Sequence, residues 1–287
     1  MIDAGSEQLR PAADAVTFAF GDTERGLFGV ARLGVADGQG SALAVLFRDR
    51  QPVGALAEGD LAVEGADWAD LRVHDLHCTV DAPLERWTVQ WRGGGAGFSL
   101  RFEAISAPAE TAGGGLEGYA QLCRVTGEVL LDGAATPVDG LGERRHEWGV
   151  ADWRELELVR TVSVWLGEEA GGVTLTSLRP AGARGHDEER VSATLVERGE
   201  PLAVGDPRLS TTYDGEGHQR RAGLELWVGK DDGYPHRVAG EVICGSSLDL
   251  GQLRLDLAFM RWHADGVHGV GRYDITRQLS QPRRSQT

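Results

Sequence analysis

From Val138 to Trp153 the sequence reads Val-Asp-Gly-Leu-Gly-Glu-Arg-Arg-His-Glu-Trp-Gly-Val-Ala-Asp-Trp, a crowding of groups able to move a proton or steady a charge. If residues 144–148 are extended, side chains alternate between faces, so Arg144, His146 and Trp148 share one face and Arg145 and Glu147 the other. The next run repeats the pattern. Glu155, Glu157, Thr161, Ser163 and Trp165 fall on one face, and Leu156, Leu158, Val162, Val164 and Leu166 on its opposite. The apolar face suits a core, and the polar-aromatic face suits a site. Such a group fits acid–base catalysis, in which a buried acid delivers a proton and aromatic faces stabilise positive charge. A desolvated carboxyl stays protonated, as a donor must. His146, Glu147, Glu155 and Glu157 are the candidate proton-transfer residues, with Arg144, Trp148, Trp153 and Trp165 as substrate-binding walls. The same Arg-His-Glu-Trp network would also serve to brace two modules, its arginines paired with carboxylates.

Outside this stretch, Trp262 in Arg261-Trp-His263 and Tyr273 would line a second pocket or fill a core. In His74-Asp-Leu-His-Cys78 the two histidines point to opposite faces of a strand and cannot easily share a metal ion. His186-Asp-Glu-Glu189 reads as a solvated loop. The sequence contains no Gly-x-Ser-x-Gly elbow, phosphate loop or Cys-x-x-Cys pair, which disfavours serine hydrolases, nucleotide hydrolases and structural zinc sites. No metal or cofactor is expected.

The elements that must position these residues are strands. Forty-one glycines in 287 residues punctuate the chain, with turn-like clusters at Asp37–Gly40, Gly93–Gly97, Gly113–Gly115 and Asp231–Gly233. Between the turns lie short runs rich in Val, Leu, Thr and aromatics, such as Val16–Phe20, Leu27–Val35, Leu71–Val80, Leu122–Leu131 and Leu253–Trp262. The best helical candidate, Ala66–Leu71, is a single turn. Arg124-Val-Thr-Gly-Glu-Val129 recurs as Arg237-Val-Ala-Gly-Glu-Val242, which suggests tandem β modules over residues 1–135 and 136–287. About seven or eight strands in each would suffice to enclose one small apolar ligand.

Composition narrows the partners. Lysine plus arginine is 29 against 44 for aspartate plus glutamate, a net charge of −15 that repels phosphate backbones and anionic lipid. Neither nucleic acid nor a membrane surface is an expected partner, and no stretch has the length of a membrane span. Cys78, Cys123 and Cys244 are odd in number and sit in apolar runs, so they read as reduced core residues in a cytoplasmic protein. Nothing here sets an oligomeric state.

The segment Gly140-Leu-Gly-Glu-Arg-Arg-His-Glu-Trp-Gly149, followed by Asp152-Trp153, resembles the Gly-x-Gly-x-Arg-x-His-x-Trp-Gly segment of the hydroxyneurosporene synthase (carotenoid hydratase) and AttH-like proteins. The lead-in Val125–Asp139 is also similar to theirs. The resemblance implies an all-β protein of two tandem lipocalin-like antiparallel barrels or sandwiches, with a pocket for a hydrophobic small molecule. It also implies kinship with hydratases and cyclases acting on alkenes. His146 and Trp148 match the family's His-x-Trp pair, which belongs to the active pocket, and Arg144 matches its arginine. The expected function is a cofactor-independent hydratase, isomerase or cyclase acting on a terpenoid-like or polyketide-like molecule. The alternative is a non-catalytic carrier or sensor of lipophiles, which would keep its polar groups at the pocket rim instead of the floor.

Overall fold

Asp37 and Gly38, at φ of 51° and 78°, form a two-residue turn whose left-handed conformation matches the twist of the strands it joins. Repeated hairpins of this kind fold nearly the whole chain into antiparallel sheet. The computed structural model describes residues 2–279 except 11, 66, 186, 187 and 230–232.

The first sheet contains β1 (Ala13–Asp22), β2 (Leu27–Ala36), β3 (Gln39–Arg48), β4 (Gln51–Leu61), β5 (Val63–Glu64), β6 (Asp70–Val73), β7 (Leu76–Ala82), β8 (Arg86–Arg92), β9 (Ala96–Ala104), β10 (Ala109–Gly113), β11 (Leu116–Leu131) and β12 (Ala134–Gly149). The second contains β13 (Leu156–Gly167), β14 (Gly171–Pro180), β15 (Arg190–Glu197), β16 (Glu200–Ala203), β17 (Asp206–Tyr213), β18 (Gln219–Trp227), β19 (His236–Leu250), β20 (Leu253–Ala264) and β21 (Val267–Gln278). Each sheet opens as a four-strand meander and is completed when its last strand returns to its first, β12 pairing β1 and β21 pairing β13. Both sheets curl into lipocalin-like barrels, so the fold is all-β with two tandem barrels.

This shared topology corrects two sequence readings. Arg124 lies on β11, one strand from the closing strand, whereas Arg237 lies on β19, two strands from it. The repeated hexapeptide therefore occupies non-equivalent strands, and the evidence for two like units is their strand order. The motif strand β12 completes the first sheet, so the passage between sheets falls at 150–155, beyond the 135/136 division suggested by the hexapeptide.

The first barrel is filled by Phe18, Phe20, Trp87, Phe98 and Phe102 among others, and the second by Val162, Val164, Met260, Trp262 and Tyr273. A third cluster lies between the sheets, where Phe28, Phe47 and Leu122 meet Trp165, Leu257 and Phe259. Each such side chain contributes about 1.5–3 kcal/mol on burial, so the seam holds the barrels as a fixed pair.

Edge strand β4 carries an almost wholly exposed Gln-Pro-Val-Gly-Ala-Leu-Ala-Glu-Gly-Asp-Leu and shows no apolar alternation to read. The run Leu71–Val80 is a hairpin instead of one strand, because His74 takes φ 53° between β6 and β7. The one-turn helix expected before it is absent among the described residues, which place Asp67–Ala69 in a loop and turn. No helix among the described residues is long and apolar enough to cross a membrane. All three cysteines are free and buried, and burial pushes each thiol up to about 12. His186 and the Asp231–Asp232 turn lie outside the described residues. Glu189 departs from the solvated loop expected of it: its side chain is buried and accepts from Arg160 at 2.6 Å and Ser177 at 2.9 Å.

Candidate active site inside the first barrel

Strand β12 packs closely against both β1 and β11, and glycines stand at two of the contacts. A Cβ on Gly142 would lie 2.3 Å from the carbonyl oxygen of Ala19 on β1. On the other flank, a Cβ on Gly118 of β11 would lie 2.2 Å from the carbonyl of His146. Arg144 and His146 point into the first barrel with 1% and 0% exposure, and Trp148 closes the row, half-buried.

His146 meets a carboxylate there. Its Nε2 donates to Asp14 Oδ1 at 2.6 Å, and neither side chain has any exposed surface. A carboxylate can only accept, so Nε2 carries a proton in this bond. Asp14 is itself held by Trp68 Nε1 at 3.1 Å and the Arg10 amide at 2.8 Å. The Tyr119 hydroxyl lies 3.4 Å from Nδ1. Arg144 Nη1 donates to that hydroxyl at 2.7 Å, and the hydroxyl's one proton goes to Glu7 Oε1 at 3.0 Å. Arg144 Nη2 reaches Glu7 Oε2 at 2.7 Å. Burial pushes the Tyr119 phenol above its ordinary value, with Arg144 pulling the other way. Burial also opposes the Arg144 charge, but Tyr119 and Glu7 outweigh it. Aromatic faces enclose the group: Trp68, Tyr119 and Trp148 stand edge-on to the imidazole at 5.9, 5.6 and 5.4 Å between ring centres, and the Arg144 guanidinium lies 4.4 Å over Trp87. The Arg10 guanidinium caps Trp148 at 3.9 Å.

The opposite face of β12 forms a separate cluster at the seam. Glu143 accepts from Arg145 at 3.2 Å and from Ser163 at 2.6 Å, and Arg145 approaches Glu147 at 3.6 Å. Arg272 pairs with Asp274, whose carboxyl is raised by burial against the pull of Arg272.

The sequence-derived candidates therefore separate. Arg144, His146 and Trp148 come together, whereas Glu147 lies across the strand at the seam. Trp165 is also at the seam, 6.5 Å from Phe259. Glu155 and Glu157 are exposed, and Glu157 faces Arg179 at 3.8 Å. A bulge between Leu156 and Leu158 breaks the alternation that would have put these glutamates with Ser163 and Trp165. They are no part of the His146 group. Trp153 sits half-buried in the turn after β12. Trp262 and Tyr273 are core residues of the second barrel, and the Tyr273 hydroxyl is bound to Thr211 at 2.7 Å. His74 and His77 each face carboxylates, and no metal-sized cluster of ligands occurs among the described residues.

Glu7, Asp14, Trp68, Trp87 and Tyr119 were missed because no motif contains them. One signal was present: Asp14 interrupts the apolar run Ala12-Ala13-Asp14-Ala15-Val16, and a carboxylate in a buried strand needs a partner.

Two grooves open on the second barrel, and neither includes a residue of the His146 group. In the one of about 270 Å³, Ser247 Oγ lies 3.3 Å from His218 Nε2, and His218 Nδ1 lies 3.6 Å from Asp214. This is no activated serine. Ser247 bonds Asp256 at 2.5 Å, and Arg254 occupies the same imidazole nitrogen at 3.0 Å.

A family model described as a domain of unknown function (DUF7064) matches residues 6–279. No curated protein matches the sequence. Among solved structures, an AttH-like protein from Nitrosomonas europaea aligns with a TM-score of 0.70 at 11% identity, over 94% of this chain and 93% of its own. Kievitone hydratase from Nectria haematococca aligns at 0.68 and 11% identity, over 96% and 93%. CghA, solved with Sch210972, aligns at 0.65 and 12% identity, over 95% and 90%. These likenesses are of fold.

Proposed function

Since the chain belongs to the DUF7064 family, a domain of unknown function, its activity must be read from its own residues, and we propose that it is an acid–base enzyme acting on a hydrophobic small molecule in the first barrel. The observation that carries this reading is the buried Asp14–His146 pair with Tyr119 at the free imidazole nitrogen. The Tyr119 hydroxyl turns from Glu7 and gives its proton to a substrate double bond; the cation takes up water or loses a proton, the proton released passes to His146 Nδ1, and the imidazolium, stabilised meanwhile by Asp14, returns it to the Tyr119 phenolate. Arg144 holds the phenolic oxygen, and Trp68, Trp87 and Trp148 offer aromatic faces to positive charge on carbon. Hydration, isomerisation and cyclisation of an unsaturated terpenoid-like or polyketide-like molecule all draw on this proton traffic. That one fold neighbour is a hydratase supports the choice. A non-catalytic carrier would have no use for a buried relay of three ionisable groups.

The test is incubation in D2O with farnesol, farnesoic acid and a hydroxychalcone, followed by mass spectrometry. Deuterium or D2O uptake that requires Tyr119 supports the enzyme. Saturable binding without any isotopic or structural change in these compounds supports the carrier.

A further inference from the structure

Glu7 enters the first barrel from a short 3-10 turn (Ala4–Glu7) that precedes the sheet. Donors from four places converge on its carboxylate: Arg144 Nη2 at 2.7 Å, the Tyr119 hydroxyl at 3.0 Å, the Leu84 amide at 3.2 Å and Trp87 Nε1 at 3.3 Å. All four belong to the barrel, on β8, β11, β12 and the β7–β8 turn, and the acceptor alone comes from outside it. Without Glu7 the barrel would present a carboxylate receptor built of side chains no more than 1% exposed.

Two further observations suggest more than a structural ion pair. Glu7 does not exhaust the donors of the site, because Arg144 Nε remains buried without a partner. The segment also has the chemical form of an apolar acid: two residues after the Glu7 carboxylate, Leu9 packs against the barrel core.

We propose that Arg144, Tyr119, Trp87 and the Leu84 amide form the binding site for the carboxylate of an apolar ligand, and that Glu7 occupies it as an internal stand-in. This rests on the reading that the first barrel holds the substrate. A ligand acid displaces residues 2–10, exchanging one anion for another, so Arg144 is never left buried and uncompensated. Departure of Glu7 also frees the Tyr119 proton to turn towards the ligand or His146. The segment is thus both plug and competitor.

The experiment uses the full chain and cis-parinaric acid, a fluorescent polyene acid, beside its methyl ester. Glu7→Ala should bind the acid about 10-fold or more tightly than the parent, because the internal competitor no longer withholds the site. The ester should show no comparable gain. Equal gains for acid and ester, or no gain in a variant with a parent-like circular dichroism spectrum, would overturn the proposal. Should Glu7→Ala not fold, the parent decides: saturating acid must speed amide hydrogen exchange in residues 2–10, and unchanged exchange at saturation overturns the proposal. The readout is binding alone, so an acid-binding protein without turnover would contradict the enzyme reading and leave the carboxylate site standing.

Discussion

Asp14 and His146, 132 residues apart in the chain, are joined by a 2.6 Å hydrogen bond with no exposed side-chain surface on either. The contact exists because β1 pairs with β12 in a register that sets Asp14 opposite Trp148 and Val16 opposite His146. Closure of the first barrel and assembly of the acid–base pair are one event.

Asp14→Asn keeps the shape of the side chain and removes its charge. Turnover should fall by about 10²-fold or more, since the imidazolium loses its counter-charge. Asp14→Ala should also cost about 3–5 kcal/mol of stability by leaving buried polar groups unpartnered. Urea unfolding beside kinetics separates the two effects. Parent-like turnover in folded Asp14→Asn would remove Asp14 from the mechanism.

Tyr119→Phe deletes one oxygen that links Arg144, Glu7 and His146. It should destabilise by about 1–3 kcal/mol, the cost of groups left unsatisfied, and abolish most solvent-deuterium uptake. Uptake at the parent rate would assign proton transfer to His146 directly.

Glu155→Gln and Glu157→Gln should leave both turnover and stability nearly unchanged, within about 0.5 kcal/mol, because both side chains are exposed. Loss of turnover in either, measured at equal folded fraction, would place the chemistry at that surface instead.

The alternation of Arg144, His146 and Trp148 was legible, since period two follows from extended backbone alone. The partners of His146 were not, because contacts spanning 27 and 132 residues depend on which strands pair. The roles suggested for Glu155 and Glu157 failed at a bulge, which shifts alternation without a composition cue. Trp262 and Tyr273 mark a core as readily as a pocket, and nothing local distinguishes the two.

At the seam, burial raises the Asp274 carboxyl above its unfolded value of about 3.9. Between those two values the folded state holds the extra proton, so this group's contribution to stability is fully present below the unfolded value and declines as pH rises through the raised one. Urea midpoints at successive pH values should show that decline in the parent and its absence in Asp274→Asn. Identical slopes would mean that Asp274 titrates normally.

Cys78, Cys123 and Cys244, with thiols pushed by burial up to about 12, should react slowly with a disulfide reagent at pH 8 in the native protein and titrate as three thiols in guanidinium chloride. Fewer than three in the unfolded chain would reveal an oxidised pair.

Whether His146 moves a proton is read from the turnover of His146→Ala with whichever D2O-screen compound the parent converts, corrected for folded fraction. The predicted result is a fall of about 10²- to 10⁴-fold with the barrel still folded. Parent-like turnover per folded molecule would contradict that role and leave the Asp14–His146 pair as a brace of the barrel.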